Sequence, residues 1–452
     1  MRHKSLFGNR IFVGDDLISS SRRLSVNFVS SFPPRECGIA TFTYDLTTGI
    51  AKVADDITWN VSLLQQCQKL FLSNVTSQSQ AARWSKKKFT RSSRFTSKML
   101  SVIKDCNRAS YVAAAKKVNE ARIDVVNVQH EFGLYKGDFG DYILEFMRRV
   151  NKPIVTTLHT VLPNPPAHMR GVVKDIYALS ERVAVSANAG IMLLAKDYGL
   201  DKNKLILIPH GVPTVPLVDT RLAKRRLGCS EKFVIASFGL INPDKGIEYV
   251  IEALPSVIEA NPHQDVVYMV VGEPHPALER KVREEYRYKL DNLIKRLGLS
   301  HNVVFVERYL SNREMIGYFL AADICAVTNT NPDQISSGVL SQAIGCGKSI
   351  VATQFAHAVE ALSNGRGLLV ERGSSADIAK KINLLMANYG LRADIARRVY
   401  DYAQSITWEK IARRYVDVFV QTKSRSALLP APGFWHERTV SQPVNPVRSI
   451  LS

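Results

Sequence analysis

The stretch "SSGVLSQAIGCGKSIVAT", residues 336–353, decides how the chain is read. Gly345, Gly347, Lys348 and Ser349 look like the end of a P-loop, which would make the protein an ATPase or GTPase. Two features exclude that reading. A P-loop carries glycine five residues before the glycine of its Gly-Lys pair, and position 342 is Gln. A P-loop also runs strand, loop, helix, and here the order is reversed. Val339, Leu340, Ala343 and Ile344 recur at helical spacing, and the apolar run "SIVAT" (349–353) reads as a strand that follows. Gly345 and Gly347 then end a helix, where positive φ favours glycine. Lys348 suits the negative end of that same helix. Phosphate chemistry belongs at the other end, near Ser336, Ser337 and Gly338, where a helix starts.

The same alternation extends in both directions. Upstream, "LSVNFVSSF" (24–32), "WNVSLLQ" (59–65), "IDVVNVQH" (123–130), "PIVTTLHT" (153–160), "RVAVSA" (182–187) and "KLILIPHG" (204–211) read as strands separated by helical patterns. "GVPTVPLVDTRLAKRRLGCSE" (211–231) carries two prolines and two glycines, which break helices and strands, and reads as a linker. The pattern then restarts with "FVIASFGLI" (233–241), "DVVYMVVGE" (265–273), "NVVFVERYL" (302–310), "DICAVTN" (323–329), "SIVATQ" (349–354) and "GLLVERG" (367–373). Apolar strands alternating with helices predict α/β architecture with two doubly wound parallel sheets of Rossmann type facing a cleft. Ligands bind at the carboxyl ends of such strands. The expected organisation is an N-terminal extension (1–23), a first domain (24–211) with a basic insertion at about 70–105, a linker (212–231), a second domain (232–422) and a loosely ordered tail (423–452).

With 452 residues the chain is long enough for more than one core. No apolar run reaches the length of a membrane span, and residues 1–24 are basic without the apolar core of a secretory signal. The six cysteines are scattered without a Cys-x-x-Cys pair, which argues against zinc and against a disulfide framework, and fits a reducing cytosol. The net charge of +19 favours an anionic partner. From Arg83 to Lys104 there are eight basic residues and no acidic one, interleaved with Trp84, Phe89, Phe95 and several aliphatic residues. Such a stretch is either a solvated insertion or a segment that docks on an anionic membrane face. No nucleic-acid motif accompanies the charge.

Five segments carry a family resemblance: "FPPRECGIATFTYDL", "TTLHT", "IPHGVP", "FGLINPDKGIEYVIEAL" and "NPDQISSGVLSQAIGCGKSIVAT". Together, and in this order, they resemble the nucleotide-sugar-dependent retaining glycosyltransferases of family four, of GT-B fold, and most of all their mannosyltransferase-like branch. The resemblance covers roughly residues 24–422. It implies a cytosolic enzyme, placed on the inner membrane face if the basic stretch docks there. The implied reaction moves a hexose, mannose from GDP-mannose, to a hydroxyl of a glycan or lipid-linked acceptor. No two aspartates stand two apart, so no metal is expected.

The residues take roles accordingly. Gly38 follows the first strand and opens a helix; it is a plain turn glycine or, as the resemblance implies, the close approach to the donor diphosphate. Arg35 and, at the end of the neighbouring strand, His130 and Glu131 are expected to face the acceptor. His159, at a strand C-terminus, is either a satisfied structural histidine or the group that holds the transferred sugar. His210 is left as a hinge residue. Lys245, ahead of a helix, is either a solvated lysine or the cation that offsets charge on the leaving diphosphate. The family has arginine just after Gly239, where this chain has Leu240. The family also has two glutamates eight apart, the first on the sugar and the second on the ribose. Here those positions are Gln334 and Gln342, with Asp333 beside the first, while Ser336, Ser337, Gly338 and Val339 keep a phosphate-binding helix start. The neutral pair and Leu240 favour one other reading, a decayed GT-B protein that binds carbohydrate or lipid; within enzymes the alternative is another GT-B reaction such as nucleotide-sugar epimerisation.

Overall fold

The computed structural model describes residues 24–67, 98–274, 279–308 and 310–428. The N-terminal extension and most of the basic insertion, including Arg83 to Arg94, lie outside the described residues, and so does the membrane-docking expectation built on them. No helix among the described residues is long and apolar enough to cross a membrane.

Among the described residues, thirteen strands form two sheets. The first is ordered β3-β2-β1-β4-β5-β6-β7 and the second β10-β9-β8-β11-β12-β13. The first contains β1 (Leu24–Ser30), β2 (Ile57–Gln65), β3 (Met99–Lys104), β4 (Val125–His130), β5 (Ile154–Leu158), β6 (Arg182–Val185) and β7 (Leu205–Leu207). The second contains β8 (Lys232–Phe238), β9 (Asp265–Val271), β10 (Val303–Val306), β11 (Ile324–Val327), β12 (Ser349–Thr353) and β13 (Leu368–Val370). Every pairing is parallel. The central strands β4 and β5 are buried at every residue, as sheets covered on both faces require. These are the two doubly wound parallel sheets that the alternation predicts, in the GT-B arrangement that the family resemblance implies.

The structure departs from the sequence expectations in five places. First, the end of the basic insertion is not an insertion: Met99–Lys104 forms β3, the edge strand, with Ser101 and Ile103 turned inward and Val102 and Lys104 outward. Alternation over only six residues, set among many lysines, hides that strand. Second, Cys67 and Cys106 form a disulfide (S–S 2.04 Å). They are 39 residues apart but follow the ends of two paired strands, and the bridge removes the cysteine-based argument for a reducing compartment. Third, the linker contains a helix, Thr220–Arg226, whose Lys224 pairs with Asp323 at 2.5 Å in a largely buried site, so this stretch belongs to the second sheet. Fourth, the tail does not begin at 423, because the Trp408–Leu428 helix runs through it. Fifth, Lys348 does not cap the Gly338–Gly345 helix. It is buried and donates to the carbonyl of Leu320 (3.1 Å) in the neighbouring Asn312–Ala321 helix and to Thr220 Oγ1 (3.1 Å).

The last helix returns to the first sheet. Phe419 meets Phe28 of β1 edge-on at 6.1 Å, and Tyr415 Oη lies 3.0 Å from Thr157 Oγ1 of β5. Lys423 pairs with Asp124 at 3.0 Å and Glu409 with Lys52 at 2.8 Å. The Trp408 indole packs against Phe42 (5.1 Å) and His210 (5.4 Å). A Cβ on Gly211 would lie 2.4 Å from that indole, so only glycine fits where the chain crosses between the sheets. The crossing and the returning helix together hold the two strand-end surfaces face to face.

Candidate active site

Two adjoining cavities, both lined by Gly38, open between the strand ends. The smaller, about 370 Å³, is lined by Glu131, His159, Thr160 and His210 of the first domain. Asn242, Asp244, Lys245, Asn329, Gln334, Ser336 and Gly338 face them from the second. The larger, about 930 Å³, runs from Phe32–Gly38 and the Gly38–Val53 helix to Gly239, Leu240, Gly272, Glu273 and Arg308.

His159 sits at the end of β5. Its Nε2 lies 2.8 Å from Gln129 Oε1. The Gln129 amide donates in turn to Asn127 Oδ1 (2.5 Å), which fixes Oε1 as the acceptor. Oε1 cannot donate, so the His159 proton is on Nε2 and Nδ1 is left as an acceptor. Burial, with His210 and His130 nearby, pushes the His159 pKa down to about 3. The ring is therefore neutral at physiological pH and can accept a sugar hydroxyl. Phe42 holds it edge-on at 4.7 Å.

Lys245 ends a short 3₁₀ turn, Pro243–Lys245, opened by Asn242, whose side chain accepts from Asp244 N–H. Gly246 follows in the left-handed region (φ 58°), and a Cβ there would lie 2.4 Å from Thr328 O. Thr328 also donates to the Lys245 carbonyl (2.8 Å). This clamp holds the ammonium 4.0 Å from the place of a Cβ on Gly239. Burial lowers the Lys245 pKa, and Asp244 opposes the shift. An arriving phosphate would stabilise the charged form.

Gln334 is held inside its own loop. Its Oε1 accepts from Asn329 Nδ2 (2.7 Å) and its Nε2 donates to Ser336 O (2.8 Å). Glutamate could accept from Asn329 but could not donate to Ser336. The amide is thus built into this loop, which a decayed glutamate would not require. Gln334→Glu is expected to lower any transfer activity at least about tenfold, since a carboxylate would face a carbonyl and stand next to Asp333. A rise in activity would mark a decayed site instead. The readout is initial transfer rate at saturating donor.

The helix starts divide their donors. Ser337 caps the Gly338–Gly345 helix by accepting from Leu340 N–H (3.3 Å), and its own N–H goes to His357 Nδ1 (2.9 Å). Ser337, expected to bind phosphate, is therefore occupied in holding the cap. Helix geometry leaves the N–H groups of Gly338 and Val339 open. At the opposite helix start Cys37 accepts from Ala40 N–H (3.4 Å), and nothing lies within 4 Å of a Cβ built on Gly38.

The structure brings together in one cavity seven of the residues singled out from sequence: Gly38, Glu131, His159, Lys245, Gln334, Ser336 and Gly338. Arg35 lines the larger cavity. Asp333, Ser337, Val339 and Gln342 line neither, although the Val339 side chain would touch a Cβ on Gly239 at 3.0 Å. His130 is not at the acceptor face. It is 1 % exposed, beneath the loop that follows β4, stacked on Tyr135 at 5.9 Å, with both ring nitrogens unpartnered among the described residues. His210, left as a hinge residue, forms cavity wall: Nδ1 lies 2.7 Å from Gly211 O and Nε2 4.0 Å from the place of a Cβ on Gly338. Its position one residue before the crossing gives no sequence sign of this. The cluster with metal-ligand spacing among the described residues is Cys67, Asp105 and Cys106; it lines neither cavity, and its two sulfurs are bonded to each other.

Burial pushes the His130 pKa down to about 4. The folded protein then refuses a proton that the unfolded chain binds below pH 6.5, so stability is lost as pH falls from there toward 4. Between pH 7 and 5 the loss from this group is about 2 kcal/mol. His130→Leu should flatten the decline of unfolding free energy with acid relative to wild type in urea titrations. Parallel curves would contradict the buried neutral histidine.

Residues 220–402 match the family described as Glycosyl transferases group 1. A D-inositol 3-phosphate glycosyltransferase from Acidothermus cellulolyticus is 25% identical over 288 residues, 60% of this chain and 62% of that protein. The chain thus spans about three fifths of the length of such relatives. Among solved structures, Anabaena HepE in complex with UDP and glucose superposes with a TM-score of 0.64 at 18% identity, over 88% of this chain and 100% of that one. A glycosyltransferase from Rickettsia africae superposes with a TM-score of 0.65 at 16% identity, over 88% and 98%. This is a GT-B-fold chain whose residues 220–402 match the glycosyl transferases of group 1.

Proposed function

We propose that this protein transfers a hexose from a nucleotide diphosphate sugar to an acceptor hydroxyl with retention of configuration. The observation that carries the reading is the meeting of His159 from one domain with Lys245 and Gln334 from the other, in a cavity bounded by two helix starts. The hexose fits the smaller cavity, with a hydroxyl on His159 Nδ1. The diphosphate lies between Lys245, Gly38 and the N–H groups of Gly338 and Val339, and the nucleoside extends toward Gly272 and Glu273 in the larger cavity. When the bond from the anomeric carbon to the diphosphate breaks, the leaving oxygen takes the acceptor's hydroxyl proton. The acceptor oxygen then bonds that carbon on the same face. Lys245 offsets the charge that develops on the leaving group. Glu131, held by the Thr160 hydroxyl (2.6 Å) and Phe132 N–H (2.9 Å), receives the acceptor hydroxyl beside the sugar.

GDP-mannose is the donor that the family resemblance supports. UDP-glucose is the second reading, favoured by the UDP and glucose bound in the Anabaena neighbour. Calorimetric titration with GDP, GDP-mannose, UDP and UDP-glucose separates them: the true donor binds and its free nucleotide binds with it. Binding of none of the four would overturn the proposal.

A further inference from the structure

The Ala356–Ala361 helix lines neither cavity, yet the loop that carries Gln334 and Ser336 into the smaller one hangs on it. Six residues are too few for a helix to hold itself, so this one depends on what it packs against. No side chain caps its start. Instead its first two N–H groups donate into the loop, Ala356 to Pro332 O (2.9 Å) and His357 to Gln334 O (3.0 Å). His357 is buried and also accepts from Ser337 N–H through Nδ1 (2.9 Å). The short helix thus holds the loop at Pro332, at Gln334 and at Ser337.

The other end of the same helix reaches the first domain. Glu360 Oε2 accepts from Asn188 N–H (2.8 Å), and Oε1 accepts from Asn188 Nδ2 (2.8 Å). Asn188 opens the Asn188–Lys196 helix, which follows Ala187 and has no side-chain cap of its own. A carboxylate of one domain therefore caps a helix of the other, where open N–H groups and the helix dipole favour negative charge. Two further ties join the loop itself to the first domain. Ser186 Oγ donates to Ile335 O (2.8 Å), and the Ile335 side chain, 1 % exposed, belongs to the core of the first sheet. The residues that face His159 from the second domain are thus seated partly on the first.

We propose that Glu360 and His357 are positioning residues. Glu360 fixes the short helix against the first domain, and His357 passes that placement to the 332–337 loop, so that Gln334 and Ser336 stand opposite His159. The effect on rate rests on the glycosyl-transfer reading, while the coupling does not, so two readouts keep them apart. Hydrogen exchange at the Ser337 amide is followed in the full chain as wild type, Glu360→Ala, His357→Leu and His357→Asn. Initial rates of sugar transfer or release are measured with saturating GDP-mannose and UDP-glucose, and GDP and UDP are titrated calorimetrically. The Glu360 carboxylate bonds to Asn188 and not to the loop, yet Glu360→Ala should speed exchange at Ser337 about tenfold. It should lower the rate about tenfold or more and leave nucleotide affinity within about threefold, the split expected when reacting groups are misplaced rather than removed. His357→Leu should speed exchange and slow the rate likewise. His357→Asn should recover both, since its amide oxygen can accept from Ser337 N–H. Unchanged exchange at Ser337 in Glu360→Ala would overturn the coupling. Faster exchange with an unchanged rate at saturation would overturn the positioning role. If wild type turns over neither donor, the glycosyl-transfer reading fails, and exchange at Ser337 alone decides the coupling.

Discussion

Replacing Lys245 with alanine should lower turnover by about 10²–10³-fold and weaken nucleotide binding by about tenfold. The ammonium is the cation that the smaller cavity presents beside Gly239, and burial already strips it of water, so its interaction with a diphosphate is strong. Leu240 stands where the resembling enzymes carry a second cation, which concentrates the burden on Lys245. Because the charge on the leaving group grows as the bond breaks, turnover should suffer more than binding. Lys245→Arg should recover binding more than turnover, since a guanidinium on the backbone that Thr328 and Gly246 hold would bring its charge to a different point from the ammonium. Single-turnover rates and calorimetry check both parts. A loss confined to nucleotide affinity, with unchanged turnover at saturation, would contradict the role.

His159→Ala should leave nucleotide affinity within about twofold of wild type and cut transfer on the order of one hundredfold. The histidine faces the end of the cavity proposed for the sugar, is neutral, and has its acceptor nitrogen set by Gln129. Gln129→Leu should reproduce part of the loss, because the ring would keep its place against Phe42 but lose the bond that fixes its tautomer. With a pKa pushed down to about 3, this ring cannot produce an acidic limb near pH 6. A rate that fell with a pKa near 6.5 and lost that dependence in His159→Ala would show a solvated histidine instead.

The fold was legible where local pattern and global packing agree. β4 and β5 are apolar runs bounded by turns, and their burial on both faces is what such runs demand. The helix-before-strand order at 338–353 was legible, and it puts Ser336 and Gly338, at the helix start, on the cavity, while Gly347, at φ 60°, follows the other end of the helix. What stayed hidden depends on tertiary contact. β3 alternates over only six residues, and edge pairing with β2 defines it as a strand. Cys67 and Cys106 meet because two parallel strands end together. The amphipathic pattern of Trp408–Leu428 shows a helix with one buried face but does not say which sheet covers it, and Lys348 found its partner in a different helix from the one it follows. The site residues that sequence singled out by position at strand ends came together. His130 did not, because the loop after β4 folds over it.

The central claim is retaining transfer from a nucleotide sugar, and the anomeric outcome tests it most directly. The full chain is incubated with GDP-mannose or UDP-glucose, and the sugar released to water is followed by proton NMR before mutarotation equilibrates it. The account predicts that the α-hexose appears first from the donor that binds, and that Lys245→Ala and His159→Ala abolish its appearance. Release of the β-hexose first, or no release from any donor that the protein binds, would contradict it.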